Sequence, residues 1–368
     1  MRAHRRLHTG RQGLRASDRR RSRSALVLVA LLAAACTNTV VVVCPTAAPT
    51  QAPSGPSPSA STVPGVITCA PNCTYRDMVV GFVQTGSEGG WRSANTESFR
   101  RTAQDWGVKL KFYDPSGAVT AQASSVRAFI ADPEVNVIVL AALETTGWDE
   151  VLAEARAAGK IVVLEDRRID APEDLYATYV GSDFVEEGRQ AGRAMVELLG
   201  TSSSKRIWEL VGNVGSTAAR DRGQGFREAI KGSGIEIARS ATADWSSLEG
   251  KQVMAGWLKT SKDLVGLIAQ NDEMGLGAIQ ALREAGLKPG ADVKIVSFDA
   301  ASKAAFNAML AGELNVDVEC NPRLGPQVYE AALKALNGET LPKWIPSSER
   351  VYRSTDGDLQ EAAARWDW

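Results

Sequence analysis

From Asp77 onward the chain alternates short apolar runs with longer amphipathic stretches. The runs fall at 78–84, 109–113, 135–140, 161–164 and 176–180, and again at 206–211, 235–241, 264–269, 293–298 and 314–318. Each has strand length, and most are apolar enough to be covered on both faces. Between them, Phe99, Ala103 and Trp106 recur at helical spacing, as do Val151, Ala155 and Ala158. Strands alternating with helices predict parallel sheets packed between helical layers. Two runs of about five strands predict an α/β chain of two doubly wound, Rossmann-like domains. A single eight-stranded barrel is the competing arrangement.

The pattern before Asp77 is different. A basic stretch ends at Arg23, and an apolar run covers 25–35. That run is shorter than the ~18 residues a membrane span needs. Ala33, Ala34 and Ala35 then precede Cys36. Residues 1–36 resemble a bacterial lipoprotein signal, which makes Cys36 the expected lipid attachment point. An ordinary secretory signal or an uncleaved anchor is the alternative. Residues 37–75 read as a linker. Its 45–65 stretch of Pro, Ser, Thr and Ala cannot bury a core and is expected to stay extended. An exported chain permits disulfides, and Cys69 and Cys73 are close enough to bridge. Cys320 reads as a buried thiol.

Composition narrows the function. Nine of the 42 basic residues but only one of the 43 acidic residues lie in 1–23, so the remainder carries a net charge of −9. A body that acidic is a poor partner for phosphate backbones, and no nucleic acid is expected. Both histidines, His4 and His8, lie in the leader. The body therefore has no imidazole for a zinc site or a Ser-His-Asp triad. No metal is expected, and no glycine pattern matches a dinucleotide or Walker loop, so no nucleotide cofactor is expected either.

Open parallel sheets bind ligands at the carboxyl ends of their strands. Those ends carry 85–92 with Ser87, Trp91 and Arg92, then Glu165 to Arg168, then Gly212 to Gly215 leading to Arg222. Asp244 and Trp245, Gln270 to Glu273, and Asp299 complete the set. Carboxylates, guanidinium groups and an amide suit hydroxyls, and an indole offers a flat apolar face to a sugar ring. Each residue also has an ordinary use. Asp166, Asn271 or Ser87 could cap a helix, Arg222 could pair with Asp221 or Glu228, and Trp91 could pack under a loop.

At these residues the chain resembles the periplasmic sugar-binding proteins of ABC importers, of the ribose- and galactofuranose-binding type. The similarity covers 78–352. It rests on Val80-Gly81-Phe82 with Gly86-Ser87-Glu88-Gly89-Gly90-Trp91-Arg92, on Thr146-Gly147-Trp148, on Asp166-Arg167 and on Asp221-Arg222-Gly223. Asn271-Asp272-Glu273-Met274 and the run 277–290 complete it. The Gly-Trp-Arg loop resembles the galactofuranose branch; a ribose-type loop would carry paired phenylalanines at 90 and 91. The resemblance implies that Ser87 and Arg92 reach the sugar and that Trp91 and Trp245 stack on it. It implies that Asp166 and Arg167 clamp from one lobe and Arg222, Asn271 and Asp299 from the other. Glu319 stands where the family has a polar contact near a hinge. Two positions depart from the pattern: Ala300 replaces the usual glycine after Asp299, and Glu165 replaces an apolar residue. Strand alternation turns Glu165 away from Asp166, so it is not assigned to the ligand.

The family pattern also implies three crossings between lobes, near 181–182, 319–321 and 347–348. One lobe is then 76–181 with 320–347, and the other 182–319 with 348–368. The expected function is hinge closure on a monosaccharide, delivered by a monomeric, lipid-anchored protein to an ABC permease. Two alternatives differ in class. A sensor for a membrane kinase or chemoreceptor would share the site. A glycoside hydrolase would use a pair among Asp166, Asp272, Asp299 and Glu319.

Overall fold

A computed structural model describes residues 68–86, 89–115 and 118–366. The leader with Cys36, Cys44, most of the linker, and Ser87 lie outside the described residues. The first sheet begins with β1 (Val79–Val83), α1 (Gly90–Trp106), β2 (Lys109–Tyr113), α2 (Val119–Ala131) and β3 (Val137–Leu140). It continues through α3 (Asp149–Ala157), β4 (Ile161–Glu165) and β5 (Thr178–Gly181). After α4 (Phe184–Leu199) come β6 (Arg206–Val211), α5 (Thr217–Ile230), β7 (Glu236–Thr242) and α6 (Ser247–Leu258). Then follow β8 (Gly266–Ala269), α7 (Asp272–Glu284), β9 (Lys294–Asp299), α8 (Lys303–Leu310) and β10 (Val316–Glu319). The chain closes with α9 (Gly325–Leu336), β11 (Trp344–Pro346), β12 (Val351–Arg353) and α10 (Leu359–Ala364).

The strands form two six-stranded sheets, in the orders β11-β5-β4-β3-β1-β2 and β12-β10-β9-β8-β6-β7. All neighbours are parallel except β12, which runs antiparallel to β10. The continuous apolar runs of β1, β3 and β8 occupy interior positions and are buried throughout. β2 and β7, with their mixed sequences, take the exposed edges. Each sheet reverses its winding at its first strand, β1 or β6. The chemistry-bearing loops leave the carboxyl ends beside those switch points.

The chain passes between sheets three times: after β5 at 182–183, after β10 at 320–324, and between β11 and β12 at 347–350. The crossings are tied together. Ser182 Oγ donates to Glu349 and lies 3.3 Å from both Cys320 Sγ and Ser347 Oγ. Ser347 Oγ also donates to Glu349 Oε1 at 2.6 Å. Cys69 and Cys73 form a disulfide at the start of the folded body. Asn337, at the end of α9, holds both the N–H and the C=O of Cys73. The C-terminal helix α10 packs against α8 of the second lobe.

One helix contact sets the geometry of the second lobe. α4 and α5 approach backbone to backbone, and a Cβ on Gly225 would lie 1.9 Å from the carbonyl oxygen of Val185. A Cβ on Gly188 would lie 2.2 Å from the carbonyl of Arg222. This closeness brings Glu187 of α4 against Arg222 of α5. Gly225→Ala gains about 1 kcal/mol of helix propensity but must push two backbones apart, an overpacking cost of about 1–3 kcal/mol or more. A lower melting temperature is therefore expected in thermal denaturation, and an unchanged or raised value would contradict this packing.

Candidate binding cleft

A narrow cavity, partly open to solvent, lies between the lobes. Trp91 and Arg92 enter it from the first turn of α1. The indole Nε1 of Trp91 donates to the Cys320 carbonyl at 2.7 Å, which fixes the ring against the second crossing. The Arg92 guanidinium stacks 4.6 Å from the Trp91 ring and pairs with Asp166. Asp166 follows the end of β4 in a left-handed conformation (φ 59°), which turns its carboxylate into the cavity. Tyr179 Oη holds the Asp166 carbonyl at 2.7 Å. Arg167 Nε lies 3.6 Å from Asp166 Oδ2.

Glu165 does not line the cavity. It is 0% exposed, lies 3.6 Å from Arg92, and accepts a bond from Asn95 Nδ2 at 3.0 Å. Burial pushes its carboxyl up to about 8, opposed mainly by the Arg92 charge.

The second lobe repeats the first in chemistry. Arg222 is buried, and it pairs neither with Asp221 nor with Glu228. Its Nε donates to Glu187 Oε2 (2.7 Å), Nη1 to the Gln270 carbonyl (2.7 Å) and Nη2 to Asp299 Oδ1 (3.0 Å). These bonds use three of the five donors of a guanidinium. The rings of Phe184 and Phe298 flank it. Burial raises the Asp299 carboxyl to about 7 against the pull of Arg222. Trp245 and Asp299 both line the cavity, and both hold positive φ, at 62° and 101°. Ala300 does too, at 47°, so alanine adopts the conformation that glycine reaches without strain. Buried carboxylates hold that loop: Ala300 N–H donates to Asp317 Oδ1 (3.2 Å) and Ala301 N–H to Asp272 Oδ2 (3.0 Å).

Asn271 lines the cavity and is also the N-cap of α7, its Oδ1 accepting from Met274 N–H at 2.9 Å. Its Nδ2 donates to the Trp245 carbonyl (3.1 Å) and to Glu273 Oε2 (2.8 Å). One residue thus both caps α7 and lines the cavity.

Eight of the ten residues singled out from the sequence thus meet at one cavity: Trp91, Arg92, Asp166, Arg167, Arg222, Trp245, Asn271 and Asp299. Ser87 lies outside the described residues. Glu319 is not among the lining residues; its Oε2 accepts the Arg350 N–H at 3.0 Å on the third crossing. Its neighbour Cys320 lines the cavity instead. Phe184, Ala218 and Cys320 are the lining residues that sequence reading missed. Phe184 and Cys320 follow β5 and β10, where the chain leaves its lobe. An aromatic placed directly after a crossing was the available signal.

Two outcomes follow from these buried charges. Between about pH 4.5 and about pH 8, folded Glu165 keeps a proton that the unfolded chain has released. The folded state binds more protons there, so stability falls as pH rises through this window. Glu165→Gln is expected to flatten that fall, matching the parent at the acid end and exceeding it at the alkaline end. Urea denaturation across pH checks this, and an unchanged slope would refute it. Arg222→Met leaves Glu187 and Asp299 without their cation, and a loss of about 3–5 kcal/mol is expected in the same assay.

The sequence pattern of the periplasmic binding protein domain family matches residues 80–340. The galactofuranose-binding protein YtfQ of Escherichia coli is 38% identical over 77% of this chain and 90% of its own length. A solved protein of Mycobacterium smegmatis in complex with β-D-fucofuranose is 40% identical, with a TM-score of 0.73 over 78% of this chain and 97% of its own. The arabinose ABC transporter binding protein of Shewanella, bound to α- and β-L-arabinofuranose, is 38% identical, with a TM-score of 0.74 over 79% and 96%.

Proposed function

As the chain belongs to the periplasmic binding protein family, we propose that its cleft closes on a monosaccharide in the furanose form and delivers it to an ABC importer. The observation that carries this reading is the doubled set at the cavity. Each lobe contributes one indole, a guanidinium and a carboxylate: Trp91, Arg92 and Asp166 from one, Trp245, Arg222 and Asp299 from the other. A furanose held between them would place C–H faces on the indoles and hydroxyls on the charged groups. The three similar proteins above, each named for or bound to a furanose, support the ring form.

The chain is a binding protein and not an enzyme, in keeping with its family. The carboxylates that hydrolysis would need already serve other groups. Asp166 pairs with Arg92, Asp299 with Arg222, Asp272 holds the Ala301 amide and Glu319 the Arg350 amide. A sugar touching both lobes stabilises the closed form over the open one, and that difference is what a permease reads. A sensor would use the same site and differ only in its partner. The family is extracytoplasmic. In our reading the mature protein is a monomer anchored by lipid on Cys36.

The test is a thermal-shift and calorimetric screen against L-arabinose, D-galactose, D-fucose, D-ribose and D-fructose. At least one is expected to raise the melting temperature in a concentration-dependent way. Asp166→Asn is expected to weaken that sugar about tenfold to a hundredfold, the range for a hydrogen bond to a charged group. No shift with any of these sugars would reject the reading.

A further inference from the structure

Helix α1, which carries Trp91 and Arg92, begins on Gly89 and Gly90 and has no side-chain N-cap of its own. Its first amides point instead at a residue of the other lobe. Glu273 Oε1 accepts the Gly90 N–H at 2.5 Å, and the Trp91 amide also bonds this carboxylate. Glu273 is the second residue of α7, and its other oxygen accepts from Asn271 Nδ2 at 2.8 Å. A side chain at either glycine would press on this carboxylate and displace it. A Cβ on Gly89 would lie 3.0 Å, and on Gly90 2.8 Å, from Glu273 Oε1. Glu273 itself is not among the residues lining the cavity.

We propose that Glu273 is a positioning residue that latches the closed cleft, supplying from the second lobe the N-terminal cap that α1 lacks. A carboxylate suits the positive end of a helix, and its amide bonds are charge-assisted. The contact spans the lobes, so it exists only when they are together. It fixes the turn bearing Trp91 and Arg92 with one oxygen and the Asn271 amide with the other. Closure and alignment of both walls are thereby one event. Gly89 and Gly90 are the socket, which gives this pair a role separate from any contact with ligand.

The inference rests on the proposed closure around sugar, so release and compaction are measured separately on the full chain. In stopped-flow tryptophan fluorescence with L-arabinose or D-galactose, Glu273→Ala is expected to speed release about tenfold, with association little changed. Gly90→Ala is expected to do the same while keeping or raising the ligand-free melting temperature, since alanine favours the helix. A loss of fold would lower that temperature, so this variant separates latching from stability. Small-angle scattering then compares compaction without sugar under osmotic stress from polyethylene glycol, which favours the compact form whatever the ligand. The parent is expected to compact more than Glu273→Ala. If no sugar binds the parent, the sugar reading has failed and compaction alone decides the latch. Equal compaction and equal release in parent and variants, or a parent that never compacts, would overturn it.

Discussion

A guanidinium removed from water must find acceptors on every side, and the second lobe is arranged around that requirement at Arg222. Losing its hydration costs several kcal/mol, and three bonds from α4, β8's end and β9's end offset it. Glu187 reaches Arg222 only because α4 and α5 touch backbone to backbone through glycines. Asp299 reaches it only because its loop is held in a left-handed path by Asp317 and Asp272. In the first lobe Arg92 plays the corresponding part, pinned between buried Glu165 and cavity-facing Asp166. The charges that meet the cleft are therefore oriented before any ligand arrives, which reduces what binding must spend on ordering side chains.

Backbone strain collects at the same place. Asp166, Asp244, Trp245, Asp299 and Ala300 hold positive φ, and all lie at the carboxyl ends of strands. A strand delivers its last side chain above or below the sheet, not forward into the cleft. A left-handed residue immediately after it turns the next groups forward. Ala300 shows how tightly this is imposed: the loop keeps its course without the glycine that the resemblance led one to expect.

Much of this was legible in the chain. Ten apolar runs marked ten strands, because interior parallel strands must be apolar on both faces. The ends of those runs named most of the cavity wall. What escaped notice depended on distance in sequence. β11 and β12 are three residues each and join their sheets only as partners of β5 and β10, so they have no pattern of their own. Glu319 and Cys320 are neighbours, and which one faces the cavity is decided by how the crossing leaves β10. Arg222 had acidic neighbours at Asp221 and Glu228, yet its partners stand 35 and 77 residues away. Spacing along the chain could not separate those choices.

The triple crossing has a consequence for how the protein is made. The core of the first lobe includes Leu324, Val328, Tyr329 and Leu336 of α9 and its approach, packed with Phe82 and Phe99. Its sixth strand, Trp344–Pro346, is later still. When a growing chain has delivered its first 181 residues, that lobe lacks a helix of its core and one edge of its sheet. It must wait for the five parallel strands of the second sheet, β6 to β10, to emerge before it can close. Vectorial synthesis therefore completes the second sheet's parallel strands before the first lobe is whole. The second lobe in turn lacks β12 and α10 until after β11 has appeared, so each lobe is finished by chain made after the other has begun.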